Sequence, residues 1–245
     1  MTAMNLDSKL ARLKLPWMSS NVQDVLKKSA EKKLSLEEAM SALIDGELQA
    51  RALKATTRRL RSAHIPIRKS LADFNWSWPK SIDQDLVRDL FRLDFVKSSA
   101  NVVFCGSVGL GKSHLAQALA VEACNKNFKV LFTLAIDMVN ALQTAAMVGK
   151  LENALRRYVS PQLLLVDELG YLPIERAGSD LFFQVVSKRH ERASTVITTN
   201  RAYKDWASTF ANDAAITSAI LDRLTERCST VLITGSSYRM RDRRE

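Results

Sequence analysis

The feature that most constrains this chain is an eight-residue run, Gly106-Ser107-Val108-Gly109-Leu110-Gly111-Lys112-Ser113, set between two different hydrophobic patterns. Before it stands the short apolar run Val102-Val103-Phe104-Cys105. After it, Leu115 to Cys124 reads as an apolar helix. A strand, a glycine-rich turn and a helix in that order fit GxxxxGK[ST], the loop whose backbone N–H groups wrap phosphate oxygens. Glycines keep side chains out of the way, and the helix N-terminus adds a favourable dipole. Residues Gly106 to Ser113, with the adjoining His114, are therefore the candidate phosphate cradle for ATP. Lys112 is placed to neutralise the β- and γ-phosphates, and Ser113 to offer its hydroxyl to Mg²⁺.

A second run, Leu163-Leu164-Leu165-Val166-Asp167-Glu168, buries four apolar residues and releases two acids at the carboxyl end of a strand. Beside a phosphate loop, Asp167 belongs to the Mg²⁺ shell. Glu168 is placed to polarise an attacking water as general base.

These runs sit in a larger alternation. Strands are expected at Asn101–Cys105, Val130–Leu134, Leu163–Asp167, Thr195–Thr199 and Thr230–Ile233, with amphipathic helices between them. Their continuous apolar character fits strands buried on both faces, so the fold class is α/β, with a mostly parallel sheet covered by helices. Residues 1–65 contain no strand-like run and read as a small all-helical N-terminal domain. One helix is expected from Ser20 to Lys33, and a longer one or a pair from Ser35 to Ala63. Ser35 and Glu38 have capping-box spacing, and Leu36, Ala39, Met40, Leu43 and Ile44 make an apolar face. Residues 66–80, with Phe74, Trp76, Trp78 and Pro79, read as a connector. The catalytic domain then runs over 81–245, opening with a helix from Ile82 to Val96.

Charge is unevenly placed. The chain carries a net +10, and residues 1–70 hold 14 Lys/Arg against 7 Asp/Glu, while the remainder holds 22 against 19. A basic module beside a nearly balanced one suits a polyanion partner. Arg51, Lys54, Arg58 and Arg59 crowd the end of the long N-terminal helix. Lys150, Arg156 and Arg157 fall near the end of the mostly helical segment Asp137–Tyr158, and both groups are candidate contacts to a DNA backbone. Cys105, Cys124 and Cys228 form no CxxC pair and have no histidine at ligand spacing, so they read as reduced, packed thiols. No apolar run approaches the roughly 18 residues of a membrane span, and the polar first thirty residues do not read as a secretory signal. A cytoplasmic protein without membrane contact is expected.

The phosphate loop together with LLLVDELGYLP (163–173), ITTN (197–200), ILDRL (220–224) and GSSYR (235–239) resembles the AAA+ ATPases of the helicase-loader clade. More narrowly it resembles the IstB-like ATPases that assist insertion-sequence transposition, with the DnaC-type helicase loader as near cousin. The resemblance implies an AAA+ core of five parallel strands with a truncated or absent lid. It also implies roles at matching positions. Asn200 corresponds to the polar sensor beside the γ-phosphate. Arg223 corresponds to an arginine finger presented to a neighbouring subunit, and Arg239 to the second sensor.

The function implied is an ATPase that assembles as a ring or helical oligomer on duplex DNA, with little sequence preference. There it would mark a target for a transposase and be released, nucleoid-bound in the meantime, by hydrolysis. A helicase loader that prefers single strands is the alternative. A scaffold gated by ATP binding alone is a third reading.

Overall fold

The structure, a computed structural model, describes residues 5–238. The chain forms two compact units, one ending at Arg58 and the other beginning at Arg59.

The first unit is helical throughout its described residues. It holds α1 (Leu6–Arg12), α2 (Pro16–Glu31) and all but the end of α3 (Leu36–Ser62). Its small core joins Leu10, Met18, Val22 and Leu43. The capping box forms as its spacing predicts: the Ser35 N–H donates to Glu38 Oε2 at 2.7 Å, and the Glu38 N–H donates to Ser35 Oγ at 3.2 Å. α2 starts at Pro16, earlier than the sequence suggests, with no side-chain cap of its own. Glu47 from α3 supplies one instead, its Oε2 accepting from the N–H groups of Trp17 and Met18. The apolar face of α3 is only partly used. Ala39 and Leu43 are buried, whereas Leu36, Met40 and Ile44 stay exposed.

The second unit carries α4 (Gln84–Leu90) and the single turn α5 (Asp94–Lys97) and is built on a five-stranded parallel sheet. Its strands are β1 (Asn101–Gly106), β2 (Val130–Leu134), β3 (Leu163–Leu169), β4 (Ser194–Thr199) and β5 (Cys228–Ile233), in the order β2-β3-β4-β1-β5. Alternate residues on each strand face opposite layers. Val102, Phe104, Leu163, Leu165 and Val196 meet Leu115 and Leu119 of α6 (Lys112–Asn125). Val103, Leu164, Val166 and Ile197 meet α7 (Ala135–Met147), α8 (Leu151–Val159), α9 (Arg176–Arg189) and α10 (Ala214–Thr225). Both faces of the inner strands are thus covered, which is why β1 and β3 read as apolar runs, whereas the edge strand β5 leaves Thr230 and Leu232 exposed.

Two helices expected from sequence are broken. The 82–96 segment divides into a helix at Gln84–Leu90 and a single turn at Asp94–Lys97. Between them Leu93 takes φ 64° and is fully buried, so tertiary packing of this one side chain overrides helix propensity. The 137–158 segment breaks between α7 and α8 at Gly149, φ 67°, where a glycine is the residue best suited to the left-handed turn.

Candidate nucleotide-binding site

The loop after β1 rises over the N-terminus of α6. Gly109 and Gly111 have φ 80° and 85°, in the left-handed region. Gly111 also touches an aromatic wall, since a Cβ there would lie 2.6 Å from Phe74 Cε2. No side chain caps α6, so its first turn presents backbone N–H groups at the loop, the setting that favours an anion. Lys112 is only 4% exposed. Its Nζ donates to the Ser107 carbonyl at 2.7 Å and stands 6.0 Å from the Tyr171 ring centroid.

The two motifs meet. Ser113 Oγ donates to Asp167 Oδ1 at 2.8 Å, and Thr198 Oγ1 donates to the same oxygen. Asp167 is buried, whereas the Glu168 side chain is exposed and lines the cleft. Asn200 stands just beyond β4, and its Oδ1 is buried without a hydrogen-bond partner among the described residues. A buried acceptor left unpaired calls for an explanation, and a ligand-facing role is one.

The cleft holds about 610 Å³. One wall is the loop, from Val108 to His114. The opposite wall is formed by Ile67, Phe74, Trp78 and Pro79, with Tyr238 at the rim. His114 Nε2 lies 2.9 Å from the Ser70 carbonyl, and its ring stands edge-on to Phe74. The segment after β5 closes on the same loop. The Tyr238 N–H donates to the Gly109 carbonyl at 2.9 Å, and Trp78 Nε1 donates to the Ser236 carbonyl at 2.9 Å. The sequence treats 66–80 as a connector, yet it is a wall of the site. The available signal was its density of aromatic residues.

Other expected residues lie elsewhere. Arg223 is absent from the cleft lining. Its guanidinium stacks 4.8 Å above the Phe183 ring, and Nη1 donates to the Ala219 carbonyl. Arg239 lies outside the described residues. Among the basic candidates, Arg51 is engaged with Glu47 and the Lys14 carbonyl, and Arg59 with the Cys124 carbonyl and Asn127. Lys54, Arg58, Lys150, Arg156 and Arg157 are exposed. The three cysteines are free. Burial raises the pKa of each, that of Cys124 to about 11.

The family model for IstB-like ATP-binding proteins matches residues 8–245. The chain belongs to the IstB-like ATP-binding proteins. It is 35% identical to an insertion sequence IS21 ATP-binding protein of Pseudomonas aeruginosa, covering 98% of this chain and 90% of that one. An insertion sequence IS232 ATP-binding protein of Bacillus thuringiensis is 34% identical, over 97% and 94% of the two chains. Among solved structures, the DnaC helicase loader matches with a TM-score of 0.55 at 24% identity, covering 67% of this chain and 96% of that one. The replication initiator DnaA bound to AMPPCP and single-stranded DNA matches at 0.57 and 20%, over 69% and 51%. Those two likenesses give the fold, an AAA+ P-loop core.

The residues fit the ligands the family implies. A cleft with a glycine cradle, a buried lysine and aromatic walls suits ATP. Ser113 and Asp167 offer hard oxygen donors, as Mg²⁺ requires. No cluster of three or more His, Cys, Asp or Glu able to hold a metal occurs among the described residues. A cation here would therefore complete its shell with phosphate oxygens and water, as Mg²⁺ commonly does.

Proposed function

We propose that this protein is a Mg²⁺-dependent ATPase that oligomerises on duplex DNA and assists a transposase in choosing its target. A complete phosphate loop and an acidic strand end meet at a cleft whose lining does not include Arg223, in a chain whose relatives belong to insertion sequences, and this carries the reading. Arg68 lines the cleft, but Arg223 does not, so a role for Arg223 in turnover requires the cleft of a second copy.

In this reading Lys112 and the N–H groups of the loop hold the β- and γ-phosphates. Ser113 and Asp167 hold the metal, which when bound neutralises charge on the phosphate oxygens. Glu168 accepts a proton from the attacking water, and the Asn200 amide orients that water. Arg223 of a neighbouring copy stabilises charge on the transferring phosphoryl group, a contribution on the order of 10³–10⁵ in rate for such fingers. ATP then favours the assembly and hydrolysis loosens it. Lys54, Arg58, Lys150, Arg156 and Arg157 contact phosphates, so affinity comes without sequence preference and falls with salt. Arg239 is a further proposed nucleotide contact, and Arg51 and Arg59 are weaker DNA candidates because protein acceptors already engage them. The protein would work in the cytoplasm, on the nucleoid while DNA-bound.

Gel shift and negative-stain microscopy with duplex, single-stranded DNA, ATP and ADP test the proposal. ATP-dependent multimers on duplex, weakened by salt and by Arg223→Ala, support it. Preference for single strands, or DNA binding only with a helicase present, supports a loader instead, a reading the DnaC-like fold favours.

A further inference from the structure

We infer that Thr198 is a positioning residue for both acids at the end of β3, its hydroxyl pinning a bulge that presents them to the cleft. This rests on the roles proposed above for Asp167 and Glu168. In the parallel ladder between β3 and β4, Val166 pairs with Ile197 and Leu169 pairs with Thr199. Three steps along β3 therefore match two along β4, and Asp167 and Glu168 together face Thr198. Such an extra residue disrupts the ladder and re-aims side chains, which is why bulges recur beside active sites.

Here the unpaired backbone group is satisfied by a side chain. The Glu168 N–H donates to Thr198 Oγ1 at 3.0 Å. Glu168 itself has φ 62°, a conformation rarely adopted by residues other than glycine, asparagine and aspartate. A backbone N–H can only donate, so the Thr198 oxygen acts as acceptor and its single proton goes to Asp167 Oδ1. One hydroxyl thus fixes the backbone of Glu168 and the carboxylate of Asp167. Thr198 is completely buried, so water does not substitute for it readily. Ser113 is the other donor to Oδ1, but its oxygen has a second proposed duty toward the metal. Thr198 has none.

Valine matches threonine in shape and lacks the hydroxyl, whereas serine keeps the hydroxyl. Full-length Thr198→Val and Thr198→Ser are compared with wild type, Asp167→Asn and Glu168→Gln. A fluorescent ATP analogue measures binding with Mg²⁺ and with chelator, alongside duplex-stimulated turnover. Thr198→Val should bind nucleotide normally in chelator, lose the gain in affinity that Mg²⁺ gives, and turn over about 10–100-fold more slowly with little change in KM, while Thr198→Ser stays within about 3-fold of wild type. Wild-type Mg²⁺ response and turnover in Thr198→Val would overturn the inference, as would a serine variant impaired as badly as valine. Should the valine variant not fold, Thr198→Cys takes its place in the same comparison with serine. If Asp167→Asn and Glu168→Gln themselves remain active, the proposed roles of the acids fail. If those two are inactive while Thr198→Val is not, the inference about Thr198 alone fails.

Discussion

Ser113 Oγ donates to Asp167 Oδ1 across 2.8 Å, joining two motifs 54 residues apart in the chain. The contact ties the buried Asp167 carboxylate to a hydroxyl that lines the cleft, one residue along from Lys112. Chemistry that needs both phosphate and cation is concentrated there.

Binding and turnover should therefore separate. Lys112→Ala removes a charge-assisted donor of about 1.5–3 kcal/mol and should weaken nucleotide binding roughly 10–100-fold. Chelating divalent cations should stop turnover while leaving measurable binding by the loop. Equilibrium binding of a fluorescent ATP analogue, with and without chelator, distinguishes the two effects.

Arg189 should matter to stability alone. It is 1% exposed, and its guanidinium donates to the carbonyls of Tyr158, Val159, Pro161 and Ser194 and to the Thr195 hydroxyl. Burial pushes its pKa down to about 9, and the ring of acceptors offsets that cost. Arg189→Ala leaves these acceptors buried without their donor and should cost about 3 kcal/mol or more. Arg189→Lys should recover little, because an ammonium does not reproduce the planar fork. Chemical denaturation checks both.

Glu47 should make the N-terminal helices sensitive to acid. Burial pushes its pKa up, but the Arg51 guanidinium and the N–H groups of Met18 and Trp17 outweigh that and hold it below the usual glutamate value. A depressed folded-state pKa means stability that is present above the ordinary carboxylate range and lost as pH falls through the depressed value. Hydrogen-exchange protection at the Trp17 and Met18 amides should fall in that acid window. In Glu47→Ala it should be low already at neutral pH.

The parts legible in sequence are those carried by contiguous residues. The phosphate loop is written in eight neighbours, and the strands are short contiguous runs, those of β1, β3 and β4 mostly buried on both faces, so five strands of a parallel sheet could be read to within a few residues of their ends. The capping box at Ser35 and Glu38 is equally local. What escaped depends on distant partners. Phe74 and Trp78 become a wall only because α6 and the segment through Tyr238 fold against them. Leu93 breaks a helix because the core takes its side chain. Thr198 reads as one more polar strand residue until the bulge at Glu168 brings it opposite both acids. Leu36, Met40 and Ile44 have helical spacing but lie exposed, since periodicity marks a face without saying what covers it.

Under the proposed function each site is completed by Arg223 of another copy. Mixing two variants tests it most directly: Glu168→Gln, which keeps its arginine, and Arg223→Ala, which keeps its acid. Each alone should be inactive in duplex-stimulated ATP turnover. The mixture should regain a substantial share of activity, because an Arg223→Ala site can borrow the arginine of a Glu168→Gln neighbour. A mixture as inactive as its components, or full activity in Arg223→Ala alone, would show that Arg223 does not act between copies.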